Sequence, residues 1–179
     1  MKEIRFHGRG GQGVVTAAQI LVETAVCMGK HAHFIPYFGV ERKGSPVYGF
    51  VRISNNSIRI KSQVYDPHYV VVFDDTLLDA VSVFAGVRKE GIVVLNSTRK
   101  LEQIYLPDTV KSLVIVDATQ IALNTIKKEI PNTAMLGAFA KASKLIDPIV
   151  LYDKIANAFG KENAEAAQLA YKTCKVYNL

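Results

Sequence analysis

With 179 residues, 49% of them hydrophobic, the chain is long enough for one sizeable core and too apolar for intrinsic disorder. Lys and Arg number 22 against 16 acidic residues, a net charge of +6. That excess falls in short clusters (Arg5/Arg9, Arg42/Lys43, Arg88/Lys89, Arg99/Lys100) rather than the basic stripe with aromatics of a nucleic-acid surface, and it suits an acidic ligand or an acidic partner.

Ile4 to Phe6 reads as a buried strand running into Gly8-Arg9-Gly10-Gly11-Gln12-Gly13. A long apolar helix follows from about Val14 to Met28, closed by Gly29. Its first N–H groups lack intrahelical partners and suit an anion or a carbonyl group. Cys27 lies in this helix and is expected to be a small core residue. His31 to Pro36 is a second strand, expected parallel to the first through a right-handed crossover. Residues 37–46 form a loop carrying Glu41, Arg42 and Lys43. Val47 to Ile53 alternates as a strand, Asn55-Asn56 turns, and Ser57 to Val64 is expected to return as its antiparallel partner.

Tyr69 to Phe73 is a buried strand, with Asp74-Asp75-Thr76 capping a helix expected to reach about Phe84. Gly91 to Asn96 and Ser112 to Asp117 are two more buried strands. Helices are expected over Thr119–Glu129, stopped by Pro131, then over Asn132–Leu145, from Asp147-Pro148 to Gly160, and from about Glu162 to Val176. Gly137 inside the second of these suggests close packing. The pattern is α/β: a three-layer α/β/α sandwich around a mixed, mostly parallel sheet with an antiparallel hairpin, in one domain over 1–179.

Gly8, Gly10 and Gly13 satisfy GxGxxG, yet the strand after the first helix supplies no acidic residue for a ribose. Val14-Val15 stand where a Walker loop needs Lys-Ser/Thr. There is no GxSxG, and His7, His31, His33 and His68 lack metal-ligand spacing. Asp74 and Asp75 read more as a helix cap than as an acid/base pair. The two cysteines, Cys27 and Cys174, are far apart and form no CxxC, so this chain cannot hold an iron–sulfur cluster or a structural zinc by itself. With no leader peptide and no span-length apolar run, a reduced cytoplasmic protein is expected.

Two long motifs carry a resemblance. Arg5-Phe6-His7-Gly8-Arg9-Gly10-Gly11-Gln12-Gly13 resembles the start of the gamma subunit of 2-oxoacid:ferredoxin oxidoreductases. Pro36-Tyr37-Phe38-Gly39-Val40-Glu41-Arg42-Lys43-Gly44-Ser45-Pro46, followed by Phe50-Val51-Arg52-Ile53, is similar to the family pattern P-F-G-x-E-R-R-G-x-P…R-I. The likeness continues through Gln63-Val64-Tyr65-Asp66-Pro67 and Asn132-Thr133-Ala134-Met135-Leu136-Gly137. Lys43 stands where the family usually has Arg, keeping the charge without the planar fork. The pyruvate branch, shading into the 2-oxoisovalerate enzymes, looks most similar.

The resemblance implies a heteromeric complex that converts a 2-oxoacid and coenzyme A to acyl-CoA, CO2 and reduced ferredoxin. Thiamine diphosphate and [4Fe-4S] clusters would then belong to alpha, beta and delta partner subunits. This chain would contribute subunit packing and part of the coenzyme A site, through Gly8, Arg9, Gly10, Gly11, Gln12 and Gly13 with Glu41, Arg42, Lys43 and Gly44. No catalytic or metal-binding residue is expected in it. The residues alone also leave open a stand-alone nucleotide-binding oxidoreductase and a purely structural subunit.

Overall fold

The structure, a computed structural model, describes residues 1–37 and 44–179. Among these residues seven strands form one sheet: β1 (Lys2–Arg9), β2 (His31–Tyr37), β3 (Pro46–Ser54), β4 (Tyr69–Val72), β5 (Gly91–Asn96), β6 (Val110–Val116) and β7 (Lys175–Asn178), in the order β2-β3-β1-β4-β5-β6-β7. β1, β4, β5 and β6 pair in parallel, while β3 is antiparallel to both β1 and β2, and β7 is antiparallel to β6. The sheet is mixed and most of its strands share one direction, as expected.

Among the described residues six helices cover it: α1 (Val14–Cys27), α2 (Leu77–Ala80), α3 (Ala118–Ile126), α4 (Asn132–Ser143), α5 (Pro148–Phe159) and α6 (Lys161–Thr173). The layers are unequal. Residues of α1, α3, α4, α5 and α6 share one core with Ile4, Phe6, Val71, Val94 and Val114. The opposite face packs Val70, Val72, Val93 and Leu95 under the four-residue α2, the 3-10 turn Leu101–Gln103 and irregular segments. The layer sandwich therefore has one thick helical side and one thin one. Among the described residues no helix is long and apolar enough to cross a membrane.

Several local expectations change. β2 runs parallel to β1 but β3 lies between them, so the hairpin is β2–β3. Ser57 to Val64 forms no strand. With β1 on one side and β2 on the other, β3 has no free edge for it. The segment is held instead by the Arg52 side chain, which donates to Ser62 O at 2.7 Å and to Gln63 O at 3.0 Å. The helix after Asp74 stops at Ala80 rather than Phe84 because Val81 turns to extended backbone. α3 ends earlier than expected, at Lys127 in the left-handed region (φ 56) rather than at Pro131. α6 ends at Thr173, and the residues beyond it make β7. Cys27 is exposed rather than core: it ends α1 on the side turned from the sheet, while Ala18, Leu21 and Ala25 face inward. Gly137 is required by packing, since a Cβ there would lie 1.9 Å from Ala167 O of α6.

β1 carries two chemistries. Ile4 and Phe6 enter the helix-covered core. Glu3, Arg5 and His7 point the other way and are buried as well. Arg52 Nε donates to Glu3 Oε1 at 2.9 Å, and Arg88 reaches Glu3 Oε2 at 3.2 Å. Arg5 Nε donates to His7 Nε2 at 3.0 Å, and its other end donates to Val83 O and Ala85 O. The His7 ring stands edge-on to Tyr48, centroids 5.1 Å apart. Burial, and then the charge of Arg5, push the His7 pKa down to about 3, so the ring is neutral at ordinary pH.

Candidate functional site

The turn from β1 into α1 is built by close approach. A Cβ on Gly8 would lie 2.3 Å from Val14 Cγ2 and 3.2 Å from Phe73 Cβ. Gly13 is the N-cap of α1, in the left-handed region at φ 78, and it supplies no capping side chain. The first turn of α1 holds no acidic residue, so its amides keep their positive end uncompensated.

The rest of the loop is tied to its own fold. Gly10 N donates to Ser45 O at 2.9 Å, and Gly44 N donates to Gly10 O at 3.1 Å. The structure thus brings Gly44 against the glycine turn. Gln12 Oε1 accepts from Arg9 N at 2.8 Å, and Gln12 Nε2 donates to Asp74 Oδ2 at 2.9 Å. Arg9 donates to Thr76 Oγ1 and Gly44 O and pairs with Asp74 at 3.2 Å. Glu41, Arg42 and Lys43, expected in the same site, lie outside the described residues.

Asp74 and Asp75 sit at the carboxyl end of β4, and both are engaged. Asp74 accepts from the backbone and hydroxyl of Thr76. Burial pushes its pKa up, but hydrogen bonds from Thr76 and Gln12 and the charge of Arg9 outweigh this and hold it below the usual carboxylate range. Asp75 accepts from Ser97 Oγ and pairs with Arg99 at 3.2 Å. The expected helix cap is not made: α2 has Thr76 as its N-cap with no side-chain cap bond, and Asp74 instead closes a turn on Thr76. Among the described residues no cluster of three or more His, Cys, Asp or Glu is arranged to hold a metal.

The glycine turn opens on a cleft of about 870 Å³. Three helices begin at it: α1 through Val14, Val15 and Thr16, α4 through Asn132, and α6 through Glu162 and Asn163. Helix N-termini carry partial positive charge, so three of them converging favour an anion. α3 ends at the same cleft, and Lys127 and Lys128 follow it there. Lys127 Nζ donates to Asn124 O at 2.8 Å, compensating the carbonyl end of that helix. Lys128 makes no side-chain hydrogen bond among the described residues. Glu162 is the acidic group on the α6 wall. Ile126, Ile130 and Phe159, the last 42% exposed, add apolar surface.

Lys127, Lys128 and Asn132 were not among the residues expected from the sequence. The one signal for the lysines is a doublet between the end of α3 and Pro131, more than a hundred residues from the glycine turn it faces.

Comparison with known proteins adds an independent line. The family model for pyruvate ferredoxin/flavodoxin oxidoreductase matches residues 3–173. The chain is 50% identical, over 100% of both chains, to the common subunit gamma of the pyruvate/ketoisovalerate oxidoreductases of Pyrococcus furiosus. It is 48% identical to pyruvate synthase subunit PorC of Methanothermobacter thermautotrophicus, covering 96% of this chain and 95% of that one. Its fold superposes on the crystal structure of pyruvate oxidoreductase subunit PORC from Thermotoga maritima with a TM-score of 0.87, at 34% identity, covering 99% of this chain and 98% of that one.

Proposed function

This chain belongs to the pyruvate ferredoxin/flavodoxin oxidoreductase family as a gamma-type subunit of the enzyme, and from that premise we propose that it seats the phosphate-bearing end of coenzyme A in the three-helix cleft. The enzyme it serves would oxidise pyruvate or 2-oxoisovalerate with coenzyme A to acyl-CoA and CO2, passing electrons to ferredoxin. The alpha, beta and delta partners would carry thiamine diphosphate and the iron–sulfur clusters. This assignment leaves the present chain a binding and packing role, in keeping with its lack of any CxxC.

One observation carries the coenzyme A reading: the N-termini of α1, α4 and α6 meet at one cleft with Lys127 and Lys128 on its rim. Coenzyme A is multiply anionic, and helix-start amides and cationic side chains are suitable partners for it. In this reading Gly10, Gly11 and Gly13 admit the ligand to the backbone amides. Gly8, Arg9, Gln12 and Gly44 hold the turn in shape. Seating the phosphates here leaves the thiol end free to reach the partners, where the acyl group is formed.

A scaffold-only reading is favoured by a different observation, the commitment of Arg9 and Gln12 to internal bonds with Asp74, Thr76 and Gly44. Reconstituted complex carrying Lys127→Ala with Lys128→Ala separates the two. Coenzyme A seated here predicts a KM for coenzyme A raised about tenfold, roughly 1.4 kcal/mol, well beyond any change in the KM for the 2-oxoacid. A KM for coenzyme A that stays put in a fully assembled complex leaves the scaffold reading standing instead.

A further inference from the structure

We propose that Asn132 is a ligand-binding residue of this cleft, its carboxamide Nδ2 donating to an acceptor oxygen of a bound phosphate. The inference rests on the cleft being the coenzyme A site and adds the residue that reads the anion. Asn132 is the first residue of α4, 8% exposed, and it lines the cleft. Its Oδ1 accepts from Thr133 N at 2.8 Å. That bond fixes which way the amide faces: the oxygen is committed to the helix start, and the nitrogen points away from it. Among the described residues Nδ2 donates to nothing.

Asn96 provides an internal control. It is equally buried at 8% exposed, yet its Nδ2 donates to Phe73 O and Thr119 Oγ1 while its Oδ1 accepts from Ala118 N. Asn96 is fully used in holding strand ends together, whereas Asn132 keeps a donor in reserve. Gly13 makes room for it. A Cβ at residue 13 would lie 2.7 Å from Asn132 Nδ2, so the absence of that atom brings the carboxamide up to the start of α1. The α1 amides and Asn132 Nδ2 then form one surface of donors only. Such a surface selects an oxygen acceptor and rejects an ammonium group or a metal cation. The carboxamide nitrogen opens to the cleft rather than being sealed from it, so an anion entering there meets a donor that no group among the described residues occupies.

The test uses the assembled complex. Asn132→Asp keeps the oxygen that accepts from Thr133 and replaces the donor with a charged acceptor. It should raise the KM for coenzyme A by about tenfold or more, exceeding any change in kcat or in the KM for the 2-oxoacid, and weaken inhibition by 3′,5′-adenosine bisphosphate in parallel. Asn132→Ala removes the donor without adding charge and should show the same split more weakly. A KM for coenzyme A within twofold of the parent in both variants overturns the proposal. If neither variant assembles, Asn132 is structural and the proposal also falls. The lysine pair tells the two readings apart. If the Lys127/Lys128 variant raises the KM and the Asn132 variants do not, Asn132 alone is misassigned. If none of them moves it, coenzyme A binds elsewhere.

Discussion

The two faces of strand β1 are equally dry and differently made. Ile4 and Phe6 are fully buried among the helices, where they gain dispersion contacts and ask nothing of direction. Glu3, Arg5 and His7, on the other face, are each below 9% exposed and survive there because almost every charge finds a geometric partner. The lesson is a division of labour. The apolar face supplies most of the driving force for folding. The charged face fixes register, because sliding β1 by one residue against β3 would drive Glu3, Arg5 and His7 into the helical core.

The contrast can be broken most sharply at Arg52, whose side chain is 2% exposed and serves Glu3 and the 57–64 segment together. Arg52→Ala should cost about 3–5 kcal/mol in urea unfolding, because it leaves the buried Glu3 carboxylate to the half-exposed Arg88 alone and frees that segment. On the opposite face Ile4→Ala should cost about 3 kcal/mol, from lost transfer energy and the cavity left behind. A conservative Ile4→Val should recover most of that, whereas Arg52→Lys should recover little, since an ammonium cannot reproduce three directed bonds.

The smallest effect separates the faces by pH. The His7 pKa is depressed in the folded chain, so below its ordinary value of 6.5 the unfolded chain binds a proton that the folded chain refuses. Stability therefore falls as pH drops from 6.5 toward about 3, by about 1 kcal/mol per pH unit for this one group. His33 and His68 are also depressed, by burial first, and add to the same slope. His7→Gln keeps an acceptor for Arg5 without titrating, so urea midpoints between pH 6.5 and 5 should fall less steeply than in the parent. Ile4→Ala should shift those midpoints and leave the slope alone.

Much of the sheet was legible because β4, β5 and β6 are continuous apolar runs and β1 leads into a glycine turn. Local pattern failed where a non-local competitor decided the outcome. Ser57 to Val64 alternates well enough for a strand, but β3 had already given both its edges away, and a single arginine side chain took the segment instead. β7 was absorbed into α6 because Cys174 and Tyr171 keep helical spacing up to the point where the chain turns. The glycine turn of the candidate site was plain in the sequence. Its far wall was not: Lys127, Lys128 and Asn132 come to the turn only when α4 packs beside α1 and α3 packs against α4 and α6. Asn132 is expected from sequence only as the start of a helix, and nothing local shows that it faces the cleft.

The missing methyl at Gly137 has a reach beyond its own contact. Gly137 lies five residues into α4 from Asn132, and Ala167, whose carbonyl it touches, lies five residues into α6 from Glu162. At 1.5 Å per residue both points sit about 7.5 Å behind the cleft. The two helices are thus clamped backbone to backbone like the pivot of a caliper, with the jaws opening onto the cleft. Such a gauge is fixed by the fold itself, and any thicker side chain at the pivot would respace the jaws without touching the cleft wall.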